Sequence, residues 1–253
     1  MDLGLRGLKA LVTGGTKGIG RGIVETLARE GAAVAFCARS PDEVETAVAV
    51  LRSAGMDVTG RQLDVADSDA LRCWVVDTAE GWCGLDIVVA NVSALAIDNS
   101  EESWGAGFQI DLMHSVRLVT AAMPYLENSA AAAIVTISSV SGREVDLAAG
   151  PYGAFKAAII HYTKGLSFLH ASKGIRANIV SPGDTYFEGG FWDKVKRDDS
   201  KLYAESLALC PSGRMATPQE IANVVAFLAS PAASFVNGTN VVVDGALTRG
   251  VQF

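Results

Sequence analysis

Thr13-Gly14-Gly15-Thr16-Lys17-Gly18-Ile19-Gly20 follows a short apolar run at residues 8–12 and opens a helical pattern in which Ile19, Ile23 and Leu27 share one face. Strand, glycine-rich turn and helix in that order make a phosphate site. The glycines let the chain turn tightly and approach a pyrophosphate closely. The helix N-terminus offers free N–H groups and the positive end of its dipole to the anion. A glycine-rich turn alone is a weak signal. Here Tyr152-Gly153-Ala154-Phe155-Lys156 lies far downstream, with Ser139 thirteen residues before the tyrosine. That pairing moves the reading from a nucleotide-binding fold toward a particular chemistry.

Short β-branched or apolar runs alternate with helix-period segments on both sides of this turn. The predicted strands are residues 10–12, 33–36, 58–63, 86–90, 133–137, 177–180 and 241–243, nearly all apolar, as strands covered on both faces should be. Ser40-Pro41-Asp42-Glu43 and Thr217-Pro218-Gln219-Glu220 read as capping boxes with proline at the first helical position. Gly31 and Gly55 fall where helices should end. Repeated βα units predict an α/β fold of the Rossmann type: a doubly wound, seven-stranded parallel sheet with helices on both faces and right-handed crossovers. The 253 residues suit a single domain spanning 1–253, although length alone would also allow two. The segment 182–211 breaks the rhythm and is rich in aromatic and charged residues. A substrate lid over about 184–211 is the expectation for an insertion at a strand's carboxyl end.

Composition narrows the partners. The net charge is −7 and no dense Lys/Arg run occurs, which argues against nucleic acid. No apolar run approaches the roughly 20 residues needed to span a bilayer, and the first residues carry no apolar signal core. A cytoplasmic location is expected. Cys37, Cys73, Cys83 and Cys210 form no C-x-x-C pair and read as reduced thiols. His114, His161 and His170 are not at metal-ligand spacing and read as ordinary helix residues, so no metal is expected.

Cofactor choice is read after the second strand, where sites that prefer NAD place an acid for the ribose 2′-hydroxyl. Ala38 stands there, followed by Arg39, which can meet a 2′-phosphate bidentately, and Lys17 adds a second cation. Both could instead be solvated surface charges; together, with no acid, they predict NADP(H) over NAD(H). Asp64 and Val65 are placed to hold the adenine edge, or Asp64 to cap the next helix, or both. Tyr152 and Lys156 lie one helical turn apart and share a face. A phenol normally titrates near about 10, and an adjacent lysine cation favours the phenolate. Tyr152 can then exchange a proton with a carbonyl oxygen, and Ser139 can hydrogen-bond the same oxygen.

Thr13–Gly20, Asp64-Val65, Asn91, Ser139, Tyr152, Lys156, Pro182-Gly183 and Asp244-Gly245 together resemble the short-chain dehydrogenase/reductase family, over essentially the whole chain. The resemblance implies that the turn (Gly14, Thr16, Lys17, Gly18, Ile19, Gly20) holds the cofactor pyrophosphate and that Asn91 supports the cofactor and the sheet. It implies Tyr152 as general acid/base, Lys156 on the nicotinamide ribose and Ser139 on the substrate. The segment Pro182, Gly183 and Thr185 would meet the nicotinamide amide. It also implies a homotetramer, with the helices around Asp111 and Tyr152 at one interface and the C-terminal segment to Phe253 at another. The nearest-looking relatives are 3-oxoacyl-carrier-protein reductases and broad ketone or alcohol oxidoreductases. Three departures stand out: Ser93 for a glycine, Asp111 for the asparagine of the central helix, and Phe187 for a threonine. Asp111 is isosteric with asparagine but lacks the amide donor; a working proton relay with a shifted pH optimum is expected. Tyr186, Phe187, Phe191 and Trp192 crowd the lid and suit an apolar or ring-bearing carbonyl or alcohol substrate, or they pack the lid onto the body or onto a neighbouring subunit. The function expected is NADPH-dependent interconversion of a ketone and a secondary alcohol. The alternative is a non-catalytic nucleotide-binding protein of the same fold. Enoyl reduction is disfavoured, because related enoyl reductases separate their Tyr and Lys more widely.

Overall fold

The structure, a computed structural model, describes residues 2–251. One parallel sheet holds β1 (Lys9–Thr13), β2 (Ala33–Ala38), β3 (Val58–Gln62), β4 (Ile87–Ala90), β5 (Ala133–Ile137), β6 (Arg176–Pro182) and β7 (Asn240–Val243). Their spatial order is β3-β2-β1-β4-β5-β6-β7. The connections carry α1 (Gly18–Arg29), α2 (Pro41–Ser53), α3 (Ser68–Gly81), α4 (Glu101–Ala106), α5 (His114–Leu126) and α6 (Pro151–His170). Between β6 and β7 come α7 (Phe191–Asp198), α8 (Ser200–Leu209) and α9 (Pro218–Ala229).

Alternation along the strands divides the core between the two faces. On β1, Ala10 and Val12 join Ile23 and Leu27 of α1, Val44 and Leu51 of α2 and Val225 of α9, whereas Leu11 joins Leu71 and Trp74 of α3 and Leu118 of α5. Fully burying each such side chain contributes roughly 1.5–3 kcal/mol of transfer free energy. These burials, rather than helix propensity, fix the helices against the sheet. The strand order reverses between β1 and β4, so their carboxyl ends splay apart and leave a crevice.

β3 departs from the expected two-sided burial. It is an edge strand in which Val58 is buried and Thr59 to Gln62 are exposed, which explains its polar sequence. Gly31 and Gly55 take positive φ just beyond α1 and α2, as the helix-stop reading required. Thr217 and Glu220 form the full reciprocal box at α9. At α2 only half of it forms: Ser40 accepts from the Glu43 N–H, while the Glu43 carboxylate turns away toward the glycine turn. Asp64 is not the cap of α3; that cap is Asp67, and Asp64 accepts from Ala66 N in a tight turn. The expected long central helix is interrupted by a π turn, Gly107–Met113, which contains Asp111. All four cysteines are free, and no helix among the described residues is long and apolar enough to cross a membrane.

Candidate active site

A cleft of about 870 Å³ opens at the carboxyl ends of the central strands. It is lined by the glycine turn at one end, by Ser139, Tyr152 and Lys156 in the middle, and by the segment after β6 at the other. Every residue expected to bind cofactor lines it except Gly18, which adjoins it under the Phe187 ring.

The turn is built for close approach. Gly14 has φ +73°, and a side chain at Gly20 would collide with the Gly14 carbonyl and the Asn91 amide. Asn91 Nδ2 donates to Thr13 O at 3.0 Å and so ties the end of β4 to the start of the turn. The first turn of α1 has neither a side-chain cap nor an acid, which leaves its N–H groups and dipole directed at the cleft. These features fit a dinucleotide pyrophosphate. Beneath the turn, Gly14 N donates to Cys37 O. Burial pushes the Cys37 thiol up to about 12, so this sulfur is not a reactive thiolate.

At the outer end, Arg39 is exposed and forms no ion pair with a described residue. Lys17 is engaged: its Nζ lies 3.2 Å from Glu43 Oε1, and Thr16 Oγ1 donates to Glu43 Oε2 at 3.0 Å. The Lys17 hydrogen bond holds the Glu43 carboxyl below its ordinary value. Sequence reasoning assigned Glu43 to the helix cap. Its longer reach across the turn has no sequence signature beyond proximity of charge.

In the middle of the cleft, Lys156 is 2% exposed, donates to Ile137 O at 3.1 Å and lies 5.5 Å from the centroid of the Tyr152 ring. Its counter-ion is Asp111, fully buried, with Oδ1 at 3.2 Å. That pair is Coulombic rather than aligned, because Oδ1 makes no hydrogen bond, while Oδ2 accepts from Ala94 N at 3.0 Å. Ser138 Oγ donates to Lys156 O and fastens β5 to α6. Ser139 Oγ donates to Ser141 Oγ at 3.2 Å, and Ser141 Oγ donates to Asp146 at 2.6 Å.

Past β6, Thr185 turns its hydroxyl back on Gly183 O, and the Phe187 ring covers Gly18 and Gly190. The four aromatics of this segment split in role. Trp192 is buried with Cys210 and Met215, and Tyr186 packs beside it with its hydroxyl on Asp193. Phe187, Phe191 and one face of Trp192 reach the cleft. Two of the sequence alternatives, cleft wall and internal packing, are thus realised in one segment.

Residues 14–248 match a family model described as Enoyl-(Acyl carrier protein) reductase. Isoepoxydon dehydrogenase of Penicillium expansum is 40% identical over 259 residues, covering 100% of this chain and 99% of its own. The chain belongs to the short-chain dehydrogenase/reductase family. Two solved members superpose closely. L-sorbose reductase of Gluconobacter frateurii, complexed with NADPH and L-sorbose, gives TM-score 0.88 at 26% identity over 99% of this chain and 100% of that one. An NADPH-bound short chain oxidoreductase of Pseudomonas aeruginosa with an atypical catalytic center gives 0.88 at 30% identity, over 97% and 100%.

In this short-chain dehydrogenase/reductase, His114 is no ordinary helix residue. It is fully buried, with Nδ1 2.7 Å from Ile110 O in the π turn and Nε2 3.0 Å from Thr13 Oγ1. A carbonyl only accepts, so Nδ1 carries the proton and Nε2 accepts from the threonine. The imidazole thereby braces the turn that carries Asp111 against the end of β1. Burial pushes it down to about 4, with the Ile110 carbonyl opposing. The unfolded chain takes up this proton near about 6.5, so the stability His114 confers is complete above that value and is lost as pH falls toward about 4. Unfolding by urea between pH 7 and 4.5 should show stability falling less steeply in His114→Gln than in the parent. Equal slopes would remove His114 from the acid response.

Proposed function

We propose that this protein is an NADPH-dependent oxidoreductase that interconverts a ketone and a secondary alcohol, with Tyr152 as the general acid/base. The observation that carries the reading is Lys156: a lysine held almost fully buried, between Ile137 O and Asp111, beneath the ring of a tyrosine that faces the cleft. A structural lysine would snorkel to water. This one lines the cleft instead, where the nicotinamide ribose is expected. When bound, the cofactor supplies the hydride that the carbonyl carbon accepts. Tyr152 gives its phenolic proton to the carbonyl oxygen, and the Lys156 cation stabilises the phenolate left behind. Ser139 orients the same oxygen by turning its hydroxyl from Ser141 to the substrate. The segment 184–211 acts as the lid, with Phe187 and Phe191 on its inner face, and residues 1–253 work as one domain.

The NADPH bound in two related structures and the names of the relatives support this reading. The one-turn spacing of Tyr152 and Lys156 favours carbonyl over enoyl reduction despite the description of the family model. A non-catalytic role rests on Asp111 and on the altered stretch at Asn91, where Ser93 replaces a glycine; the Asp111 carboxylate sits on Lys156 as a partner rather than displacing it, and Asn91 still donates to Thr13 O. Self-association is part of the proposal: Trp104 and Phe108 are exposed beside Phe155, on the helices expected at one interface. Phe253, expected at the other interface, lies outside the described residues. The test is NADPH oxidation against a panel of thioester, ring, quinone, aliphatic and sugar carbonyls. Turnover establishes the activity; silence in protein that binds NADPH overturns it in favour of a binding protein.

Cofactor preference has its own test. Arg39→Ala should raise the KM for NADPH about 10- to 100-fold, the worth of a hydrogen bond to a charged group, and leave that for NADH nearly unchanged. Glu43→Gln, which frees Lys17, should lower the KM for NADPH. Equal effects on both cofactors would show that neither side chain faces a 2′-phosphate.

A further inference from the structure

The substrate half of the cleft carries a carboxylate that the proton relay does not use. Asp184, just after β6 at the start of the segment 184–211, lines the same cleft as Ser139 and Tyr152. Its backbone carbonyl is taken by Ala216 N, but its side chain has no cation among the described residues within ion-pair distance. The Cys210 thiol, 4.0 Å from Oδ2, is a weak donor, and Trp192 lies close enough to lend some hydrogen-bonding support. Burial, ahead of the Asp146 charge, pushes the carboxyl up to about 6. A half-buried carboxylate without a strong donor is costly unless a donor arrives.

Three neighbours narrow what arrives. Asp146, whose charge acts on Asp184, and Glu144 line the cleft as further carboxylates, so this end repels anions, while Lys17 and Arg39 stand at the glycine-turn end. Arg249 also lines the cleft and opposes a cation. The remaining wall is apolar and partly aromatic: Phe191, Trp192, Leu209 and Leu247. A neutral ring carrying a hydroxyl satisfies all of these, since a hydroxyl can donate to the ionised carboxylate and accept from its protonated form.

We propose that Asp184 is a specificity-determining residue that hydrogen-bonds a substrate hydroxyl remote from the reacting carbon, so that the site selects neutral hydroxy-ketones over anionic carbonyl compounds such as coenzyme A thioesters. This rests on the ketoreductase reading above and names its substrate class.

The experiment compares kcat/KM of the full chain with NADPH on matched ring ketones: cyclohexanone, 3- and 4-hydroxycyclohexanone, 4-aminocyclohexanone and acetoacetyl-coenzyme A. The better hydroxy-ketone should exceed cyclohexanone by tenfold or more. Asp184→Leu should abolish that ratio. Asp184→Asn, which keeps the shape and a neutral acceptor, should lower it about fivefold and answers the question if the leucine variant does not fold. A ratio near one in the parent, a ratio unmoved by both substitutions, or preference for the amino-ketone or the thioester overturns the assignment. Turnover of cyclohexanone without a hydroxyl preference defeats this inference alone. Silence on every ketone defeats the ketoreductase reading and this inference with it.

Discussion

Tyr152→Phe is expected to lower kcat for ketone reduction roughly 10²- to 10⁴-fold, the usual range for loss of a positioned acid/base, while the Kd for NADPH stays within about twofold. The separation of effects follows from what the substitution leaves in place. The ring remains beside Lys156, whose own anchors, Ile137 O and Asp111, belong to β5 and the π turn and not to the tyrosine. The hydroxyl makes no hydrogen bond with a described residue, so its removal breaks no structural contact. On the proposed mechanism, what disappears is the proton that compensates charge on the carbonyl oxygen. Stopped-flow turnover and fluorescence titration of NADPH on the same preparation check both halves. Residual turnover near the parent level would withdraw the acid/base role from Tyr152. Equal loss of binding and turnover would instead mean that the ring shapes the cofactor site.

The sequence was most legible where one local rule acts alone. Most of the strands were signalled by a run of apolar residues, because a strand covered on both faces has no polar register to hide in; the edge strand β3, with Val58 alone buried, is the exception. Gly31 and Gly55 marked helix ends because a left-handed residue is needed there and glycine adopts it freely. Legibility failed where one side chain had two partners to choose between. Glu43 sits at the third position of α2, where capping predicts a bond to Ser40 N; it bonds Thr16 and Lys17 instead, a choice made by the fold bringing α2 over the glycine turn. The π turn at Asp111 was equally hidden, since one inserted residue leaves helical periodicity almost intact. His114 looked like any helical histidine, and only the packing of that turn on β1 reveals why it is buried. The relay from Ser139 through Ser141 to Asp146 runs through a loop, where spacing carries no periodic signal.

Asp111 offers the sharpest separation of structural from electrostatic work. A buried ion pair is not itself a reliable source of stability, because desolvation offsets the attraction; removing one partner is what costs. Asp111→Ala leaves the Lys156 ammonium buried without a counter-ion and Ala94 N without its acceptor, so a loss of about 3–5 kcal/mol is expected, measured by urea unfolding at pH 7. Asp111→Asn keeps the shape and can still accept from Ala94 N. It removes the charge and turns the oxygen facing Lys156 into an amide donor, and should still cost clearly less stability than the alanine variant. Its effect belongs in the rate profile. On the proposed mechanism, the Asp111 charge opposes part of the Lys156 field at Tyr152, so removing it should favour the phenolate used in alcohol oxidation. The pH–rate profile for oxidation should therefore move toward lower pH in Asp111→Asn. If the asparagine variant is as unstable as the alanine one, the charge itself holds the π turn in place. If stability is kept and the profile does not move, Asp111 serves Lys156 only as a scaffold, and the substitution at this family position has no bearing on the proton relay.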